Sequence, residues 1–146
     1  MRIEAFLRES PMFTVKSAAR HFDALAADAF ATDGLGFMEG LLLAAIFFEA
    51  PRPIQPSHLA ETFCTTRGNV SHAISSLEAK GLVQRKIDPA DARGTLLALK
   101  PAGKRCALRV IAAFDRMQQR FEQKVGKAAL RNTLDVIRTL ESCNHS

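Results

Sequence analysis

Apolar residues recur at Val15, Ala18, Ala19, Phe22, Leu25, Ala26, Ala29 and Phe30, the spacing of one face of an α-helix. Asp33-Gly34 ends that stripe, and a shorter helical piece at residues 2–8 is set apart from it by Pro11. Residues 36–49 are apolar nearly all round, which places that helix inside a domain, and Pro51 and Pro53 stop it. Residues 56–63 form the next helix, with Pro56 at its first position. A break at Cys64-Thr65-Thr66 follows, and Thr66 is a good N-cap for a helix over residues 67–80. That helix turns Val70, Ile74 and Leu77 inward and stops at Gly81. Two short strands, residues 82–87 and 95–99, flank a turn-rich loop at 88–94 and predict a hairpin. Pro101 opens a helix striped by Val110, Phe114, Met117, Phe121 and Val125, and Gly126 breaks it. A last helix carries Leu130, Leu134, Ile137 and Leu140.

The predicted fold is mainly α with a small β-hairpin (α+β). Two helices joined by three residues and followed by a hairpin make a winged helix-turn-helix. Residues 35–104 form this winged region, and residues 1–34 and 105–146 supply helices for dimerisation. The end stripes contribute Phe22, Leu25, Phe114, Phe121, Leu134 and Ile137, an apolar set suited to a two-fold interface.

Composition narrows the function. The 146 residues suit one domain, and no apolar run reaches membrane-spanning length. No signal core is present, so the expected location is cytoplasmic. Twenty Lys+Arg stand against 15 Asp+Glu, a net charge of +5. Within residues 80–109 eight bases face two acids, a local +6, so the rest of the chain is close to neutral. Basic charge concentrated around a hairpin suits phosphate contacts. The three cysteines (Cys64, Cys106, Cys143) and four histidines show no metal spacing, and no cofactor is expected. No Ser/His/Asp set, phosphate-cradling glycine loop or paired carboxylate appears, which argues against an enzyme.

The helix at 67–80 is the candidate reading element. Its outward face shows Gly68, Asn69, Ser71, His72, Ser75 and Ser76, and no acid lies between Thr66 and Leu77. Asn69 can pair with an adenine edge, and the serines and His72 offer adjustable donors and acceptors. Thr66 and Arg67 stand at the helix N-terminus, which favours a phosphate. Arg93, beyond the hairpin turn, is a long cation for a narrow minor groove, and Asp91 can orient it.

Residues 59–83, from Leu59 through Val83, resemble the helix-turn-helix of the MarR family of transcription regulators, and so do Arg85, Asp91-Ala92-Arg93, Leu97, Leu99 and Gly103. The likeness covers about residues 55–105. It departs from the family at Lys100, at Gln55 and in the extra N-terminal segment. The resemblance implies a bacterial homodimer with intertwined end helices, bound to a pseudo-palindromic duplex operator and acting as a repressor. A small aromatic ligand would release it, bound where the first, second and Pro101 helices meet. The competing readings are a winged helix used for protein–protein contact and a thiol sensor. For the latter, Cys64 lies in the helix-turn-helix turn, and Lys104, Arg105 and Arg109 are placed to lower the pKa of Cys106.

Overall fold

The helical segments form where the apolar spacing and caps direct them. The structure, a computed structural model, describes residues 1–52 and 54–143, with Ala92 and Arg93 described by backbone alone. It comprises two units, Met1–Val110 and Ile111–Ser146.

In the first unit, α1 (Arg2–Glu9) gives way to α2 (Pro11–Ala29) at Ser10. Ser10 Oγ accepts from the Phe13 N–H at 3.2 Å, and Pro11 takes the first helical position. Pro11 therefore starts the long helix, ahead of the Val15 start expected from the apolar stripe. A 3-10 turn at Ala31–Asp33 and a left-handed Gly34 lead into α3 (Phe37–Glu49). This helix buries Leu42, Leu43 and Ile46, as its all-round apolar pattern requires.

The helices α4 (Pro56–Thr62) and α5 (Arg67–Ala79) carry the helix-turn-helix. Helix α4 closes with paired bonds from Cys64 N–H to Glu61 O (3.1 Å) and Thr65 N–H to Ala60 O (3.0 Å). This closure holds Cys64 at φ 51. Thr66 caps α5, its Oγ1 accepting from Asn69 N–H at 3.1 Å. The same closing motif ends α5, with Gly81 at φ 72 and Leu82 N–H bonded to Leu77 O at 3.0 Å. Val70, Ile74 and Leu77 are buried together with Leu59, Leu82, Val83 and Leu97. Each such side chain contributes about 1.5–3 kcal/mol on leaving water.

Strands β1 (Val83–Asp88) and β2 (Asp91–Leu99) pair antiparallel, with Val83 opposite Leu99 and Ile87 opposite Thr95. A register shift follows Ile87, and Ile54 bridges the outer side of the hairpin at Leu97. The hairpin reaches further than the expected strands. Asp88 Oδ1 accepts from Ala90 N–H at 2.9 Å and closes the turn at Pro89-Ala90, so pairing resumes at Asp91. Helix α6 (Pro101–Val125) begins in this unit and buries Gly103, Cys106, Ala107 and Val110 there.

The second unit contains the rest of α6 and α7 (Lys127–Glu141), joined at Gly126 with φ 86. No residue of α7 is buried. Leu134, Val136 and Leu140 lie exposed along it. Among the described residues no helix is long and apolar enough to cross a membrane.

Candidate nucleic-acid interface

Helix α5 presents two chemically distinct faces. Val70, Ala73, Ile74 and Leu77 are buried, while Thr66, Arg67, Gly68, Asn69, Ser71, His72 and Ser75 are exposed. The polar side is the one expected to read bases, and the apolar back fixes its orientation. Asn69 donates one amide hydrogen from Nδ2 to Thr65 Oγ1 at 3.0 Å. This bond steadies the carboxamide, which has a second Nδ2 hydrogen and an oxygen for further bonding.

Two clefts border this face. Arg67, Ser71 and Arg85 converge with Pro56 and Ser57 around a cleft of about 180 Å³. Asn69 and His72 border another of about 340 Å³ beside Phe37 and Met38. Two acidic side chains that the sequence does not single out brace the helix. Glu78 accepts from Arg85 Nε at 2.7 Å, and Arg85 also donates to Ser75 Oγ at 3.1 Å. Arg85 on β1 is thereby tied to α5, so Arg85 and Ser75 act as a linked pair. Glu39 of α3 accepts from Lys80 Nζ at 2.7 Å and from Ser76 Oγ at 3.0 Å. Its other oxygen accepts from Gly36 N–H at 3.0 Å. Burial pushes the Glu39 carboxyl up, but the bonds from Lys80, Gly36 and Ser76 outweigh it and hold the group below the ordinary carboxylate range. Neither acid is legible as a brace in the sequence, because each meets its partner across the fold or beyond the acid-free face.

Asp91 is exposed at the start of β2. The Arg93 side chain lies outside the described residues. In the hairpin turn, Gln55 Nε2 reaches Asp88 Oδ2 at 3.5 Å, a link between the α4 entry and the wing.

The thiol expectation needs correction at Cys106. The neighbouring bases predict a lowered pKa. Instead Cys106 is buried, and its Sγ lies 3.5 Å from Asp33 Oδ1. Burial and the Asp33 carboxylate push the thiol up, against the opposing pull of Arg109. Arg109 grips Asp33 through both oxygens, Nε at 3.0 Å and a terminal nitrogen at 2.7 Å. That grip, partly offset by burial, holds the Asp33 carboxyl below its ordinary range. Cys106 is thus a protonated core residue. Cys64 and Cys143 are exposed.

Of the residues assigned to dimerisation, Phe22, Leu25 and Leu134 are exposed, and Phe114, Phe121 and Ile137 are half-buried.

Residues 49–95 match the family model described as the MarR family, a segment running from the end of α3 through the hairpin turn into β2. No curated protein sequence matches the chain. Among solved structures, MepR of S. aureus in its DNA complex superposes with a TM-score of 0.84 at 17% identity, covering 92% of this chain and 98% of that one. CouR of Rhodococcus jostii RHA1 bound to p-coumaroyl-CoA gives 0.79 at 18% identity, covering 96% and 97%. PcaV of Streptomyces coelicolor in complex with its natural ligand gives 0.80 at 21% identity, covering 94% and 95%. At these identities the superpositions establish a shared fold. Over residues 49–95 the chain thus matches the MarR family, and across most of its length it shares the fold of these regulators.

Proposed function

We propose that the chain is a homodimeric, sequence-specific double-stranded DNA-binding transcription regulator, a repressor released by a small ligand. The observation that carries this reading is α5, whose exposed face from Thr66 to Ser75 holds no acid while its back is locked in the core. Asn69, His72 and Ser71 read base edges in the major groove, and Thr66, Arg67 and Gly68 bring the helix start against phosphate. Arg85, braced by Glu78, presents charge beside them. Arg93, with Asp91, is assigned to the minor groove on its sequence position. MepR with DNA, and CouR, a repressor bound to a 23-mer duplex in one structure and to p-coumaroyl-CoA in another, support the reading by shared fold.

Fluorescence anisotropy tests it, with duplexes from the DNA flanking the chain's own gene against random duplex. Specific binding is expected to fall by about 10³–10⁵ between 50 and 200 mM salt if six to ten phosphates are engaged. Asn69→Ala is expected to cost about 1–3 kcal/mol on the specific duplex and less on random DNA. Equal affinity of the wild type for both duplexes overturns the reading.

A further inference from the structure

Away from the α5 face, an open cleft of about 480 Å³ lies between the end of α3, the hairpin and the first turn of α6. Its walls are mainly aliphatic, formed by Ile46, Leu96, Leu97 and Leu99, with Phe47 as an aromatic exception. Three cations border it from three different elements or loops: Arg52 after α3, Lys86 on β1 and Lys104 on α6. Among the described lining residues there is no acid. All three cations are exposed at the rim.

An apolar cleft with convergent charges of one sign selects a ligand with an apolar body and an opposite charge at one end. The volume falls within the range of about 300–1,000 Å³ usual for small-molecule sites. Aliphatic walls favour an alkyl chain over a stacked ring, because a ring would find one aromatic partner in Phe47. The cations lie on separate elements, so a carboxylate among them draws β1, α6 and the end of α3 together.

We infer that this cleft is an effector site for an amphipathic carboxylate, its acyl chain against Ile46, Leu96 and Leu99 and its carboxylate among Arg52, Lys86 and Lys104. Strand β2 forms one wall and also carries the wing, with Leu97 N–H bonded to Ile54 O at 3.1 Å across its outer side. A chain wedged against that wall changes the set of the hairpin on α3, and the carboxylate neutralises charge beside the DNA-facing region. The effector role rests on the DNA-binding reading, whereas the binding itself does not.

Titration calorimetry on the full chain with decanoate and with 1-decanol separates the contributions. Decanoate is expected to bind at least about tenfold more tightly than 1-decanol. Lys104→Gln is expected to remove most of that preference while leaving 1-decanol binding unchanged, and circular dichroism checks its fold. Lys86→Gln provides an independent second variant. Absence of decanoate binding, or equal binding of acid and alcohol, overturns the site. DNA anisotropy in saturating decanoate then tests the role: DNA binding at least about tenfold weaker is expected in the wild type and a smaller loss in Lys104→Gln. Unchanged DNA affinity alongside calorimetric binding overturns the effector role. Absence of specific DNA binding under any condition overturns the proposed function, while the calorimetry still decides whether the site binds decanoate.

Discussion

A Cβ added at Gly103 would collide with the carbonyl oxygen of Leu82, the same oxygen that accepts from Lys100 N–H at 2.9 Å. The first turn of α6 therefore sits directly on the backbone that enters the wing. Gly103→Ala is expected to force the two apart and to cost about 1–3 kcal/mol. An unchanged thermal melting temperature would contradict that close approach. Cys64 has the opposite problem, a side chain where φ is 51. Cys64→Gly removes the left-handed strain and is expected to raise stability by up to about 1 kcal/mol, after the extra chain entropy of glycine is counted. A lower melting temperature would refute it. Gly103 is visible in the sequence as one letter of a resemblance, but its reason is not, because the carbonyl it meets lies across the fold. Cys106 misleads for the same cause. Its sequence neighbours are cations, whereas Asp33 sits beside it in space. A thiol-reactive dye is therefore expected to label Cys64 and Cys143 rapidly and Cys106 only on unfolding.

The elements themselves are legible wherever a buried face repeats. Helices α3 and α5 fall within a residue of their expected bounds, since each must bury Leu42, Leu43 and Ile46 or Val70, Ile74 and Leu77. The hairpin is longer than its composition predicts, because Asp91-Ala-Arg-Gly94 has turn residues and no alternation. A side-chain bond at Asp88 closes the turn early enough for Asp91 to pair with Asp88, and the register shift carries the strand on to Thr95 opposite Ile87. The joint between α3 and α5 is not legible at all. It depends on Glu39, which is 14% exposed and receives Lys80, Ser76 and Gly36 together. Its lowered pKa makes the contribution of this joint pH-dependent. The stabilisation is full above the unfolded carboxylate pKa of about 4.3 and is lost as pH falls through the lower folded value. Glu39→Gln is expected to lower stability by about 1 kcal/mol near neutral pH, since Lys80 is partly screened by solvent. The gap between wild type and variant should close below about pH 4. A gap that does not narrow at all as pH falls below the unfolded carboxylate pKa would show that Glu39 acts by packing and not by charge.

At the scale of the whole molecule, the end helices set a requirement that one chain does not meet. Helix α7 is strongly patterned, with Leu134 and Leu140 on the chain's exposed surface and no residue buried. Most helical stability in proteins comes from packing an apolar face, and a helix of this length is marginal on its own in water. In α2, Leu25 is likewise exposed. In the proposed homodimer a second copy supplies this contact under two-fold symmetry, and its two α5 faces are expected to meet two half-sites of one duplex. The double variant Leu134→Glu with Leu140→Glu is accordingly expected to run as a monomer in light scattering and to lose helical circular dichroism signal from its C-terminal region. Its DNA affinity should fall by about 10²–10⁴, because each half-site must then be held alone. The core packed around Ile74 and Leu77 lies in the first unit, so a monomeric variant should retain its hairpin and α5. A double variant that remains dimeric would move the interface off α7. One that becomes monomeric yet binds the duplex undiminished would break the link between pairing of chains and reading of DNA.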